Sequence, residues 1–522
     1  MQKSSFFQSS LGYYLIPILL LVCSFVIYSY NLEGQTPHGD ELLYLSWGGV
    51  FFDSLKEGDL NNPCIKNIGG CELLYDEEGQ NEISYTPIRN FFVGFSQYLT
   101  TGENKGDFYH WSCIWTPCFD VNYWPTPEEF SSGRLFSTIF GSLTIVVIFF
   151  IGKILFNRTI GLFSSLTLLF LSLWTVNSRL IMSEVYLYFF ILLSILFLLK
   201  SFKKENKHRM LFFVLGAISF GFALNVKPIA FQMIIPIAVM ILFYFSFNEK
   251  LNFRFFKNKK NIFKVISLVL IFFVVSTISF LVAFPRYFDD PVNQMLTITE
   301  GSREIGMFAT FPTLEKNYFY RVLLTSHVIL FPHFMDSYFY EIFPVESQNS
   351  GLGEGLPFNY STIPLTLFFF IGIIYMVRKI KTRNLNFSEF VLLVWFTSLF
   401  ILTVLFVDFR PVDRFYLGPF FPLILIAVYG LWNFIQQIQN QKGKILFFML
   451  FIIVHSLYLI PQLGEIYRST TFWWRNPLPV SSELSLNEPL VYVSSIVFVI
   501  IFVLVLIRTK IYFTNGRLVI KK

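Results

Sequence analysis

Residues 133–190 read GRLFSTIFGSLTIVVIFFIGKILFNRTIGLFSSLTLLFLSLWTVNSRLIMSEVYLYFF. This stretch holds three apolar blocks, near 135–152, 160–176 and 184–199, each about as long as a helix that crosses the hydrocarbon core of a bilayer. The charged residues of the stretch stand at the ends of these blocks. The pattern predicts consecutive membrane-spanning helices joined by tight turns.

The composition of the whole chain is that of a polytopic membrane protein. Of its 522 residues, 54% are hydrophobic and 14% are charged, against about 25% charged residues in soluble domains. The expected fold class is all-α, with about 12 transmembrane helices and a large first outer loop that carries surface helices. The predicted spans lie near 12–30, 135–152, 160–176, 184–199, 210–226, 229–247, 263–284, 361–377, 389–407, 415–434, 445–461 and 489–507.

Charge sets the expected orientation of these spans. Alternate connecting segments, with runs such as KKENKHR and RKIKTR, hold more than half of the 40 Lys and Arg residues and few acidic ones. Short basic loops stay cytoplasmic, so we expect both termini inside and the protein in the cytoplasmic membrane. The net charge of +6 is then a basic inner rim rather than a signal for nucleic acid. The first span is longer than the apolar core of a signal peptide and lacks a cleavage motif, so we expect an anchor.

The longest polar segments of the chain are the predicted outer loops, at 31–134, 285–360 and 462–488. No nucleotide-binding motif occurs on the inner side, where connections are short. Four cysteines in the first outer loop are disulfide candidates, with free thiols or a zinc site as the alternatives. These cysteines are Cys64, Cys71, Cys113 and Cys118.

An acidic pair follows the first span, in His38-Gly39-Asp40-Glu41. Glu41 to Leu55 has helical apolar spacing, and one interpretation is that Asp40 caps this helix. The other is that Asp40 and Glu41 are catalytic, because a carboxylate at the water–lipid boundary can act as a base on a lipid-bound reactant. His38 and Tyr44 are then candidates for the substrate cavity.

Three predicted outer turns carry Lys or Arg, although the charge rule predicts that short outer turns are poor in these residues. Arg179 and Glu184 stand in NSRLIMSE, Lys227 in NVKP and Arg414 in DFRPVDRFY. Snorkelling or local salt bridges would explain each one singly, whereas several cations at one depth would bind phosphate. Further candidates are Arg89 as a ligand of the donor phosphate, and Tyr416 and His333 as residues that line the substrate cavity. No cofactor is firmly implied, and a divalent metal stays open.

Carboxylates, cations and a large outer region without a nucleotide module suit group transfer from a lipid phosphate. Four stretches in order resemble the GT-C superfamily of membrane glycosyltransferases, specifically the protein O-mannosyltransferase and lipid A aminoarabinose transferase group. They are HGDELLYLSWG, the run at 133–190, NVKPIA and DRFYLGPFFPLILI. The resemblance spans most of 12–435, and we expect a catalytic region at 1–434 followed by C-terminal helices at 435–522.

The resemblance implies an enzyme that moves a sugar, with inversion, from a polyprenyl-phosphate-linked donor to a protein or lipid acceptor outside the membrane. It implies that Asp40 is the base and Glu184 a second carboxylate, with Arg179, Lys227 and Arg414 facing the donor phosphate. Where many relatives carry Lys- or His-Pro-Pro, this chain has YTPIR at 85–89. That departure leaves open whether the sugar is a hexose such as mannose or a pentose. A lipid-linked sugar flippase and a noncatalytic scaffold are the rivals.

The predicted orientation can be tested by labelling. A cysteine that replaces Asn104 should react with a membrane-impermeant thiol reagent in intact cells, and one that replaces Lys204 should react only after lysis. Both are placed in a chain without its own cysteines. The opposite labelling pattern would contradict the orientation.

Overall fold

The computed structural model describes the parts of the chain that form the helical bundle and its immediate links. The described residues are 10–33, 39–59, 87–104, 125–203, 206–244, 247–248, 250–251, 259–283, 322, 326, 329–330, 363–406, 417–438, 441–456, 511–514 and 517–520.

The described part of the chain is mainly helical. In chain order the α-helices are α1 (Ser10–Ser29), α2 (Gly39–Glu57), α3 (Pro87–Thr101), α4 (Pro127–Leu155), α5 (Arg158–Leu169), α6 (Ser172–Arg179), α7 (Ser183–Phe202), α8 (Arg209–Val226), α9 (Ile234–Tyr244), α10 (Lys259–Val282), α11 (Ile363–Lys381), α12 (Phe387–Phe406), α13 (Leu417–Gln436) and α14 (Gln441–Ser456). A 3₁₀ helix, Pro228–Met233, precedes α9. Two antiparallel hairpins pair β1 (Phe247–Asn248) with β2 (Lys250–Leu251), and β3 (Ile511–Thr514) with β4 (Arg517–Ile520).

The predicted helical membrane fold is confirmed. Seven described helices are long and apolar enough to cross a membrane, or eight if the bent pair α5 and α6 forms one span. The apolar helices at Tyr14–Ser29 and Ile229–Tyr244 are shorter. The predicted span 489–507 lies outside the described residues, and the division at 434 stays a prediction.

The core of the bundle is built around α4, α7 and α13. In the most apolar windows of α7 and α13, 83% and 89% of the residues are buried, as expected for helices that are hydrophobic on all sides. α4 begins with a capping box, in which Thr126 and Glu129 satisfy each other's backbone N–H groups. This helix packs against α1, α3, α5 and α7, so its two ends are fixed from several sides.

The predicted span 160–176 is not one straight helix but a bent pair, α5 and α6. α5 and the apolar part of α6 meet at an angle of 66°. The backbone of Leu171 is extended at the break, and Leu171 serves as the N-cap of α6. No glycine or proline marks the position, so the hydropathy pattern runs through it without a signal.

The surface helices predicted after the first span are α2 and α3. α2 begins at Gly39, which places Asp40 inside its first turn rather than at the cap position. The two helices cross at glycines, because a Cβ on Gly94 would lie 2.0 Å from the carbonyl oxygen of Gly48. This close approach presses α2 onto α3, which in turn packs on α4.

Gly94→Ala should therefore separate α2 from α3 and lower the thermal unfolding midpoint, with a cost of about 1–3 kcal/mol typical of overpacking. Gly418→Ala is the matched control, because its Cβ would meet its nearest neighbour at 3.4 Å, an ordinary contact. Thermal denaturation in detergent compares the two variants. Equal midpoints would show that the glycine crossing is not a constraint.

Candidate active site

Several of the predicted site residues meet at the link between α6 and α7. Leu180 and Met182 have extended backbones that end one helix and begin the next. We refer to residues 179–184 as the 179–184 segment. Side chains from α2, α3, α4 and the end of α8 reach this segment or one another beside it, as described below.

Glu41 and Arg134 form a buried ion pair at this segment. Arg134 Nε donates to Glu41 Oε1 at 2.9 Å and its Nη2 donates to Oε2 at 2.7 Å. The backbone N–H of Ile181 donates to the same Oε1 at 2.7 Å. Arg134 also donates to the carbonyl oxygen of Leu32 at 2.7 Å. Both charged side chains have an exposed fraction of 0%, so the pair ties α2, α4, the 179–184 segment and the end of the first helix together.

This arrangement gives Glu41 a positioning part rather than direct access to a substrate. Its carboxylate accepts from a bidentate guanidinium, the strongest geometry for such a pair, and it is closed to solvent. Asp40 precedes it in the same helical turn, and its side chain lies outside the described atoms. The predicted role of Asp40 as the base therefore stays a prediction, and what the pair fixes is the backbone from which Asp40 projects.

Sequence reasoning missed Arg134. A cation at the start of an apolar block is explained by snorkelling at the interface, so nothing in its spacing separates it from an ordinary flanking arginine. Its position in GRLFST, directly after Gly133, was the available signal. A Cβ on Gly133 would lie 2.4 Å from Leu45 and 2.7 Å from Ile181, which marks this turn of α4 as a close contact with α2 and the 179–184 segment.

Arg89 reaches the same segment from α3. Its Nη1 donates to the hydroxyl of Ser183 at 2.8 Å, and Nε and Nη2 donate to the side-chain oxygen of Asn90 at 3.1 and 2.6 Å. The guanidinium carbon lies 3.6 Å from the centre of the Tyr44 ring, close to a second ring at Trp47. Arg89 is only 1% exposed, and the cation is held by aromatic faces, the Ser183 hydroxyl and the Asn90 amide oxygen.

Glu184 and Lys227 form a second ion pair, with Lys227 Nζ at 2.5 Å from Glu184 Oε1. Lys227 ends α8 and begins the 3₁₀ helix. Its side chain is 26% exposed whereas that of Glu184 is 3% exposed. The buried Glu184 carboxylate thus positions a lysine side chain that is partly exposed to solvent.

Arg179 has different partners from those expected. Its Nη1 donates to the carbonyl oxygen of Tyr30 at 2.6 Å and makes longer bonds to Ile27 and Tyr28. Its Nη2 donates to Asn31 at 3.3 Å. Carbonyl groups at the end of a helix lack intrahelical donors, so Arg179 caps α1. This contact does not favour the predicted phosphate role, because the guanidinium is 2% exposed and turned to backbone.

Several predicted residues lie outside the described residues. They are His38, His333, Arg414, Tyr416, Cys64, Cys71, Cys113 and Cys118. In the described part of the chain, no group of three or more His, Cys, Asp and Glu side chains is placed to hold a metal ion.

The comparisons with known proteins agree with the fold. Residues 116–289 match the family model described as dolichyl-phosphate-mannose-protein mannosyltransferase. A comparison with curated proteins found no match. Among solved structures, an Archaeoglobus fulgidus oligosaccharyltransferase tethered to an acceptor peptide is similar with a TM-score of 0.51 and 12% identity, over 88% of this chain and 55% of that one.

Two further structures are similar at lower scores. The protein O-mannosyltransferase Pmt1-Pmt2 complex of S. cerevisiae has a TM-score of 0.40 and 17% identity, over 54% of this chain and 34% of that chain. ArnT from Cupriavidus metallidurans has a TM-score of 0.46 and 11% identity, over 88% of this chain and 66% of that one. The chain thus spans between a third and two thirds of the length of these proteins. The family match supports the predicted resemblance to protein O-mannosyltransferases over residues 116–289, and the similarity to the oligosaccharyltransferase supports the fold.

The contributions of Glu41 and Arg134 to the free energy of unfolding should be strongly coupled. Glu41→Gln and Arg134→Gln each leave one buried charge without its partner, which costs about 3–5 kcal/mol. The double variant should lose less than the sum, because its two amides can bond each other. Chemical denaturation of the purified protein measures the cycle.

The exposed Glu128, in the first turn of the same helix as Arg134, provides a control as Glu128→Gln. This variant should unfold like the wild type. Strict additivity of the two buried substitutions would mean that the pair does not act as a unit.

Proposed function

We propose that the chain is a glycosyltransferase that moves a sugar from a polyprenyl-phosphate-linked donor to an acceptor on the outer side of the membrane. The observation that carries the proposal is the buried Glu41–Arg134 pair bonded to Ile181. It ties the helical turn that contains Asp40 to the segment that carries Glu184 and, through it, Lys227. A carboxylate and a cation are thereby attached to one anchored element, on a fold shared with an oligosaccharyltransferase.

The transfer reaction requires a cation and a base from the protein. A lipid phosphate leaves readily when a cation stabilises the charge that develops on it. The acceptor hydroxyl needs a base to take its proton as it attacks the sugar. In the proposed mechanism Asp40 takes the proton, the acceptor oxygen bonds to the anomeric carbon, and the carbon–oxygen bond to the phosphate breaks. A single displacement of this kind inverts the anomeric centre.

Lys227 is the cation that we assign to the donor phosphate. Its side chain is 26% exposed, whereas the residues Arg89 and Arg179 are 1% and 2% exposed. An ammonium group binds phosphate as a point charge, and Glu184 holds it in place. Arg414 remains a further predicted phosphate ligand. Arg179 is proposed instead as the cap of α1, because its described bonds go to backbone carbonyls.

The family match bears on the sugar and the acceptor. Its description names dolichyl-phosphate-mannose as the donor and protein as the acceptor, which favours a mannosyl donor and a protein hydroxyl for this chain. The match covers 116–289, and the YTPIR departure lies outside it. A pentose donor and a lipid acceptor are the alternatives that an assay with both substrate classes distinguishes.

Asp40→Asn should lower transfer about 10²–10⁴-fold, because the amide cannot accept a proton from the attacking hydroxyl. The assay follows label from a polyprenyl-phosphate sugar into peptide or lipid acceptors. Asp53→Asn is the matched control in the same helix, where Asp53 accepts a hydrogen bond from Asn104, and it should transfer at the wild-type rate.

The thermal unfolding midpoint of each variant is measured alongside. Wild-type turnover in Asp40→Asn would remove Asp40 from the chemistry. Donor that crosses the bilayer without transfer would favour a flippase.

A further inference from the structure

Arg89 contacts two separate parts of the candidate site from α3, a helix that carries none of the groups assigned to transfer. Its guanidinium carbon lies 3.6 Å from the centre of the Tyr44 ring on α2, and its Nη1 donates to Ser183 at 2.8 Å. Tyr44 stands about one helical turn after Asp40, and Ser183 directly precedes Glu184. One side chain therefore connects the helix that carries the proposed base with the segment that positions the proposed phosphate cation.

The orientation of the Arg89 guanidinium is fixed by a second set of bonds. Nε and Nη2 both donate to the side-chain oxygen of Asn90, at 3.1 and 2.6 Å, so each guanidinium nitrogen bonds a neighbouring side chain. A planar guanidinium can stack on a ring and donate in its own plane at the same time, which an ammonium group cannot reproduce. The contact with Tyr44 and the bond to Ser183 therefore depend on the shape of arginine as well as on its charge.

The helix that carries Arg89 is fixed on several sides. α3 crosses α2 at the glycines described above and also packs against α4 and α8. The ring centre of Phe92 lies 4.7 Å from that of Phe140 on α4 and 6.2 Å from that of Tyr186 on α7. A side chain from the first turn of α3 thus has a firm support from which to set the spacing of its neighbours.

The link between α6 and α7 is attached at two points. The backbone N–H of Ile181 donates to Glu41, and the hydroxyl of Ser183 accepts from Arg89. One attachment fixes a point on the link, whereas two attachments also fix its direction. The second attachment lies next to the carboxylate that positions Lys227, so the direction of the link sets where that cation lies.

The helix itself gains nothing from a cation at this position. Arg89 is the third residue of α3, near the positive end of the helix dipole, where a cation is disfavoured. Its burial adds a desolvation cost. The contacts that Arg89 makes with other helices offset these two costs.

We propose that Arg89 is a positioning residue, which sets the geometry between Asp40 and Lys227 through its contacts with Tyr44 and Ser183. The inference rests on the proposed function, because it names a group that supports the assigned base and cation. A misplacement of about 1 Å between reacting groups can cost about 10²-fold in rate. A ligand of the donor phosphate would instead contribute to the affinity for the donor.

Steady-state transfer from a labelled polyprenyl-phosphate sugar separates the two roles, with kcat and the donor KM measured well below the unfolding midpoint of each variant. Arg89→Lys keeps the charge but loses the planar set of donors. It should lower kcat about 10- to 100-fold, with a donor KM close to that of the wild type. Ser183→Ala removes the acceptor of the Nη1 bond and should lower kcat in the same direction.

Lys56→Met is the matched control for Arg89→Met. Lys56 Nζ lies 4.3 Å from the centre of the Tyr98 ring, which is a cation–aromatic contact between the same two helices, α2 and α3. Lys56→Met should keep the wild-type kcat, whereas Arg89→Met should lose at least as much as Arg89→Lys. Equal losses in the two methionine variants would overturn the proposal in favour of a general contribution of the α2–α3 contact.

Three further outcomes would contradict the proposal. A raised donor KM with an unchanged kcat in Arg89→Lys would assign Arg89 to the phosphate. Wild-type kcat in Ser183→Ala would remove the connection to the link, and this comparison stands even if Arg89→Met does not fold. Additive losses in Arg89→Lys/Ser183→Ala would show that the two residues act separately, because removal of one shared bond should be counted once.

Hydrogen exchange of the wild type and of Arg89→Lys tests the attachment without the transfer reaction. The peptide that covers 179–184 should exchange faster in the variant, because its second attachment is lost. If the wild type transfers no sugar, the proposed function fails, and unchanged exchange would also overturn the attachment. If the wild type transfers sugar and Asp40→Asn does not, a fully active Arg89→Lys would overturn this inference alone.

Discussion

The buried ion pair between Glu41 and Arg134 is the interaction on which the arrangement of the candidate site depends. Two charges without solvent are stable only when their geometry and remaining hydrogen bonds are good, and here the carboxylate accepts from a guanidinium and a backbone amide. The pair joins α2 and α4, which are separated in sequence by residues 58–126. It therefore holds the first turn of α2 against the link that precedes α7.

Burial separates the groups that hold the site from the groups proposed to act in it. Glu41, Arg134, Arg89 and Arg179 are almost fully buried and bonded within the protein. Lys227 is partly open and is held by a buried carboxylate. A preorganised cation costs no reorganisation when charge develops on a leaving group.

Hydropathy was sufficient to place the seven described helices that are long and apolar enough to cross a membrane, because a bilayer imposes the length and polarity of each span. It did not reveal the bend between α5 and α6, which depends on the backbone of Leu171 rather than on a breaking residue. The acidic pair and Lys227 stood out through their unusual positions. The partners of Arg179 could not be predicted, since the carbonyl of Tyr30 lies 149 positions away in sequence. Arg134 was not predicted, because a cation at the end of an apolar block has the same sequence pattern whether it snorkels to the interface or forms a buried ion pair.

A buried ion pair organises the candidate site, and we propose that the partly exposed Lys227 acts on the donor. The most direct test measures sugar transfer and the thermal unfolding midpoint together for Lys227→Gln, which keeps a donor for Glu184 and removes the charge. Turnover measured well below the unfolding midpoint should fall about 10- to 150-fold, the equivalent of one charge-assisted hydrogen bond, while the midpoint falls as well because the buried Glu184 loses its cation. Wild-type turnover, or a loss of turnover that appears only where the variant unfolds, would contradict the assignment of Lys227 to the donor.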